Sequence, residues 1–315
     1  MKIKTLISLC TLVACALCSC RNGIEEELLK EEQKLAEYIK TTYGDAAISL
    51  GGGAYLVKTH EEEESEVVEA GNYILWNWKV TNQITGALEY SSDLTNSQFV
   101  DSYFHGGPEI TVVLSSKIDE GLVKMKKGER SNVYIPSRWL YHDFQPRIFN
   151  VDIVDVITDL TVYQETLMAE HIKSLQHKYY RDDSIPTIPN VESTVDGKKY
   201  NVMYHILDKG SGEEIADDML ETTTSISYMV REEVIHPYLV DMDLSWNTTE
   251  SGQMNTHTKT NCVGEILKEI NKKGGKVVVA MPSKLYWNDD DLPKNVQGQF
   301  FIPKWSVVFF TITVK

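Results

Sequence analysis

One segment of this chain occurs twice, and that limits what the chain can fold into more than any other feature. Glu120 to Tyr141 reads EGLVKMKKGERSNVYIPSRWLY, and Glu265 to Tyr286 reads EILKEINKKGGKVVVAMPSKLY. Both copies carry an amphipathic helical turn, then Lys-Lys-Gly, then a β-branched run ending in Pro-Ser. Upstream, Ala36-Glu37-x-Ile39-Lys40 is echoed by Ala169-Glu170-x-Ile172-Lys173. Two segments echoed in the same order mark one supersecondary unit used again. The 315 residues are enough for two domains of ordinary size.

Hydrophobic periodicity gives each unit the same plan. Apolar residues at Ile24, Leu28, Leu35 and Ile39 suit one face of a helix over about 24–42. Leu167, Met168, Ile172 and Leu175 do the same over about 163–179. Short runs bounded by turn residues predict strands at Tyr73–Val80, Asn132–Ile135, Phe149–Val156, Val202–Leu207, Thr223–Val230, Val277–Met281 and Val307–Val314. Asp182 to Asn190 holds two prolines among polar neighbours and reads as a linker. The expected class is α+β: two domains, each an antiparallel sheet wrapped on a short helix and preceded by a longer one. The expected divisions are a leader at 1–19, a tether and helix at 20–45, a first domain at 46–160, a connecting helix and linker at 161–197, and a second domain at 198–315.

The first twenty residues set an expectation about location. Lys2 and Lys4 precede an apolar run from Thr5 to Leu17, the length of a signal-peptide core and too short to span a bilayer. The run ends Leu17-Cys18-Ser19-Cys20, which resembles the lipobox of bacterial lipoprotein precursors. That resemblance implies a lipid on Cys20 and a place in the cell envelope, at the outer membrane, facing the periplasm or the surface. An ordinary cleaved secretory signal is the alternative. Four of the five cysteines lie at or before this point, so Cys262 is alone in the body and no disulfide framework can form there.

Removing Lys2 and Lys4 takes 31 basic residues to 29 against 46 acidic ones, a net charge near −17. Such a body repels phosphates, which excludes nucleic acid as a partner. The acidic runs Glu25–Glu27 and Glu61–Glu64 read as solvated surface. An acidic run soon after a lipidated cysteine also resembles the surface-export signal of some lipoproteins in the Bacteroides group. The stripe at Ile24, Leu28, Leu35 and Ile39 could pair two copies; packing on its own domain is the expected use.

The motifs themselves resemble a known family. Glu120-Gly121-Leu122-x-x-Met125-Lys126-x-Gly128-Glu129-Arg130, followed by Ile135-Pro136 and Tyr141, is similar to the signature of the FKBP-type peptidyl-prolyl isomerases. In the second half, Tyr204-His205-Ile206-Leu207-x-x-Gly210-Ser211-Gly212 resembles the family's opening strand and turn. Phe301-Ile302-Pro303 with Val308-Phe309-Phe310-x-Ile312 resembles its flap and closing strand. The resemblance implies a tandem FKBP-like lipoprotein whose partners are proline-containing peptides or unfolded protein segments. It implies pocket residues Trp78, Tyr90, Ile118, Tyr141 and Phe149 in the first unit. In the second it implies Tyr228, Val263, Tyr286 or Trp287, Phe301, Ile302 and Phe310. Ser91 stands where the family has an aspartate. Residues 142–148 are too few for the family's flap, so turnover is expected in the second unit.

That chemistry asks for little in the way of motifs. Rotating an X-Pro bond breaks amide resonance against a barrier of ~18–20 kcal/mol. The twisted amide is less polar than the planar one, so an apolar, aromatic-walled pocket favours it. No nucleophile, cofactor or metal is called for. The eight histidines are scattered without H-E-x-x-H or G-x-S-x-G spacing, and Asp289–Asp291 reads as a loop. Two functions remain open: an isomerase or folding helper for exported proteins, and a catalytically inactive FKBP-like module that binds peptides or scaffolds envelope components.

Overall fold

The computed structural model describes residues 2–69, 71–91, 99–102, 116–178, 186–195, 198–216, 220–229, 235–243, 261–286, 302 and 305–315. The chain divides into two units. One holds Met1–Asn96 and Ser102–Val156; the other holds Ser97–Asp101 and Ile157–Lys315.

The first unit opens with helix α1 (Lys2–Tyr43), then β1 (Ala47–Gly51), β2 (Ala54–His60), β3 (Tyr73–Asn82) and β4 (Leu88–Ser91). In chain order there follow β5 (Phe99–Ser102), whose first three residues are grouped with the other unit, the short helix α2 (Ser116–Leu122), β6 (Arg130–Ile135) and β7 (Arg147–Ile157). The strands form one sheet in the order β1-β2-β6-β7-β3-β4, with β5 pairing β3 off this path. The second unit repeats the arrangement. Helix α3 (Leu160–Gln176) leads into β8 (Asn190–Val195), β9 (Lys198–Asp208), β10 (Ser211–Glu214), β11 (Thr222–Met229) and β12 (Ile235–Asp243). Then come α4 (Asn261–Leu267), β13 (Lys272–Lys273), β14 (Lys276–Pro282), α5 (Ser283–Tyr286) and β15 (Val307–Val314). The sheet order read from β8 is β8-β9-β14-β15-β11-β12. Position for position this is the strand order of the first unit, so the sequence repeat is a repeat of topology.

The class is α+β, and the described strand pairings in both sheets are antiparallel. β8 falls within the stretch expected to be linker. Its residues pair with Lys198–Met203 as a hairpin, which places it in the second sheet.

Each sheet is covered on both faces. In the first unit Leu56, Val133 and Phe149 lie in register across β2, β6 and β7, and directly paired residues share a face. Helix α2 lies on that face. A Cβ added at Gly121 would sit 3.3 Å from Val133 Cγ2, so the glycine is what lets the helix approach. On the opposite face Leu35 and Ile39 of α1 pack against Val57 and Tyr134. The Tyr43 and Tyr134 hydroxyls are 2.6 Å apart. Leu28, Leu35 and Ile39 are buried, whereas Ile24 is 51 % exposed. From Leu28 onward the stripe is thus buried, and its Leu35–Ile39 part lies on its own unit.

Helix α1 is also held by charge. The Ser137 amide and hydroxyl both donate to the buried Glu31 carboxylate, the amide at 2.7 Å. Arg138 pairs with Glu25 at 2.8 Å and Glu32 at 2.5 Å. Glu26 and Glu27 pair with Lys30. The Glu25–Glu27 run, expected as plain solvated surface, is partly drawn into docking the helix.

In the second unit α3 starts at an N-cap, Asp159, whose side chain accepts from the Thr161 and Val162 amides. Its Leu167, Met168 and Ile172 pack on Val278, Ala280, Val307 and Phe309 of the sheet. Among the described residues no helix is long and apolar enough to cross a membrane. The Cys20 side chain lies outside the described residues.

Candidate functional site

The repeated Lys-Lys-Gly segment builds the same turn in both units. Met125 and Ile270 are fully buried at its start. Gly128 and Gly274 take positive φ values of 83° and 80°, which a side chain would strain. The Glu129 amide donates to the Lys126 carbonyl at 3.1 Å, and the Gly275 amide to the Lys272 carbonyl at 2.8 Å. The turn drops the short helix onto the sheet face where the expected pockets lie.

In the second unit the register shows which of the expected pocket residues share a face. Ile226 and Val279 flank Phe310, while Tyr228 and Met281 flank Val308. Phe309, Val307 and Ala280 face α3, so Phe310, Val308, Tyr228 and Val279 face the other way. Tyr204 pairs with Val279 on that same face. Its hydroxyl donates to Glu269, 2.5 Å away, in the turn after α4. The α4 segment therefore lies over this face and brings Val263, fully buried, with it. From α5, the Tyr286 ring lies 4.8 Å from the Phe310 ring, tilted by 51°. Burial pushes the Tyr286 hydroxyl up to about 12, and burial also raises Tyr228. Both stay protonated at neutral pH. Ile302 is fully buried; Trp287 and Phe301 lie outside the described residues.

The first unit divides its expected residues between a floor and a rim. Trp78, Ile118 and Phe149 are buried, while Tyr90 and Tyr141 are 44 % and 40 % exposed. The Tyr141 hydroxyl is hydrogen-bonded to Tyr90; burial, then this neighbour, push it up to about 12. The guanidinium of Arg147 lies 5.0 Å from the centre of the Tyr141 ring. It is clamped by Asp143 at 2.7 Å and Glu89 at 3.0 Å. These three charged residues close the short loop that stands in place of a flap. Sequence reasoning missed them, although Asp143 and Arg147 at i and i+4 were a visible signal. Ser91, in the place of the family's aspartate, is buried.

Among the described residues no cluster of histidine, cysteine or carboxylate side chains could hold a metal. The lone Cys262 is buried, and burial pushes its thiol up to about 11, so it is unreactive at neutral pH.

Comparison with known proteins bears on the first unit directly. Residues 78–167 match the FKBP-type peptidyl-prolyl cis-trans isomerase family, and this match assigns that stretch to an FKBP-type domain. Similar solved structures include FkpA of Escherichia coli, at 18 % identity and a TM-score of 0.36, covering 50 % of this chain and 73 % of that one. A peptidyl-prolyl cis-trans isomerase of Pseudomonas syringae pv. tomato gives 16 % identity and a TM-score of 0.31, covering 42 % and 95 %. The three FKBP domains of wheat FKBP73 give 12 % and 0.27, covering 85 % and 97 %. No curated protein matches the chain.

Proposed function

We propose that the chain is a lipid-anchored peptidyl-prolyl isomerase of the FKBP type that helps exported proteins to fold, with turnover in the second unit. The observation that carries this reading is the Tyr286–Phe310 ring contact at 4.8 Å. It lies on a sheet face shared with Tyr228 and lined by Val279 and Val308. An apolar wall favours the twisted amide over the planar one. The family match to residues 78–167 supports the class of activity. The Leu17-Cys18-Ser19-Cys20 sequence supports the anchor, and Cys20→Ser should abolish palmitate labelling and membrane partition; unchanged labelling removes the anchor from this reading.

One set of observations favours a second reading, a peptide-binding module without turnover. Val263, Ile302 and Phe310 have no exposed surface, and in the first unit Arg147, clamped by Asp143 and Glu89, lies over the Tyr141 ring. A coupled isomerisation assay on a proline tetrapeptide, using the full chain in mild detergent, separates the two. The isomerase reading requires a rate above background that falls at least tenfold in Phe310→Ala with circular dichroism unchanged. A folded protein with no rate, yet with saturable peptide binding, leaves the module.

A further inference from the structure

The second unit contains a cavity of about 370 Å³ that none of the proposed isomerase residues lines, although Tyr204 and Glu269 at its edge also belong to the face that carries them. Gln176, at the end of α3, forms one wall, and Pro186 and Pro189 form another. Residues of β9, among them His205 and Leu207, and Glu269 complete it. The volume falls within the range of ligand pockets, about 300–1,000 Å³. Gln176 has no exposed surface, and neither its amide nitrogen nor its amide oxygen has a hydrogen-bond partner. Buried polar groups in folded proteins are nearly always paired, so a side chain with both ends unspent points to a missing partner.

The backbone beside it supplies a second observation. The β8–β9 ladder reaches Asn190 and Met203, and the Tyr204 amide then donates to the Pro189 carbonyl at 3.1 Å. Beyond this, the stretch 205–208 of β9 is paired to β14 on one side. Among the described residues no strand covers its other side. Pro186 and Pro189 have no N–H to offer an edge. A strand edge that is bare among the described residues, next to an unspent amide, is the arrangement that accepts an added strand.

We propose that this cavity binds an uncharged, extended peptide segment of a client protein, laid along β9. Gln176 pairs with the N–H and C=O of one of its residues. A planar amide with its NH2 and its carbonyl oxygen both unspent is complemented by another amide. The cavity carries Asp208, Glu269 and a single lysine, Lys209, so its lining has no cationic excess to draw an anion, and the acidic body repels one. Glu269 is already engaged by Tyr204. The cavity lining includes none of the proposed isomerase residues, and the proposal does not depend on their activity.

The test is an NMR titration of the full chain in mild detergent with glutamine side chains labelled with nitrogen-15. The probe is an acetylated, amidated valine–threonine pentapeptide without proline. The Gln176 side-chain resonance is expected to move saturably. In Gln176→Leu, peptide affinity should fall at least tenfold while the melting temperature holds or rises, because the lost amide had no intramolecular partner. An unmoved Gln176 resonance at millimolar peptide, or equal affinity in Gln176→Leu, overturns the proposal. So does a peptide that shifts only resonances around Tyr286 and Phe310, which would place binding in the other site.

Discussion

A carboxylate buried as deeply as that of Glu129 has to be paired on both oxygens. One accepts from the Lys58 ammonium at 3.0 Å and the Glu62 amide, and the other from the Lys126 amide at 2.9 Å. This side chain therefore ties β2, the 61–66 stretch and the Lys-Lys-Gly turn together. Removing one partner of a buried pair strands the other, so Glu129→Ala should cost about 3 kcal/mol in urea unfolding. A loss under half of that contradicts the role. The sequence showed Glu129 as part of a motif but not its distant partners, Lys58 on β2 and the Glu62 amide, which lie 71 and 67 residues away. Asp119 on α2 is the opposite case. Burial, then the nearby Glu120, push its carboxyl up to about 6 from 3.8. The folded state then binds the extra proton, so stability falls as pH rises from about 4 to 6 and stays lower above that. Asp119→Asn should gain roughly 1 kcal/mol at pH 7, after discounting for its partial exposure, and little near pH 4. Equal gains at both pH values would contradict the shift.

At the scale of elements, the two long helices use the same trick with different fastenings. Helix α1 is held by Glu31, Glu25 and Glu32, whereas α3 is held by its cap and its apolar face. Asp159→Ala removes acceptors for two amides and should cost about 1 kcal/mol in thermal or urea melts. His171 on α3 lies 4.2 Å from the Phe309 ring, and burial, then Lys178, lower its pKa. The unfolded chain binds that proton more readily, so stability is lost as pH falls below the ordinary value near 6.5. His171→Phe should flatten this acid slope in melts between pH 7 and 5; an unchanged slope assigns it to other groups. The helices were legible because 3.6-residue periodicity shows at Leu28, Leu35 and Ile39, and again at Leu167 and Ile172. β8 was not, because Asn190–Val195 sits beside prolines and lacks a clear alternation. Its pairing comes from the hairpin with β9. The fate of Glu25 was equally hidden, since an ion pair with Arg138 leaves no local pattern.

For the whole molecule, the order β1-β2-β6-β7-β3-β4 recurs as β8-β9-β14-β15-β11-β12. The repeat announced this, because Lys-Lys-Gly and the β-branched run after it fix a turn and the strand that follows. What the two units do with the shared frame differs at the pocket face. Tyr90 and Tyr141 form an exposed rim under an arginine clamp, whereas Tyr228 and Phe310 are buried and Tyr286 leans on Phe310. Residue types at aligned positions marked these side chains, but which would be rim and which floor depends on loops and charges that no alignment position shows. The central claim is that prolyl isomerisation belongs to the second unit. It is tested most directly by measuring the rate constant on a proline tetrapeptide for the full chain, Phe149→Ala and Phe310→Ala, each verified as folded by circular dichroism. Loss of at least tenfold in Phe310→Ala with Phe149→Ala within twofold of the parent is the expected result. The reverse pattern, or no rate above background in the parent, would contradict it.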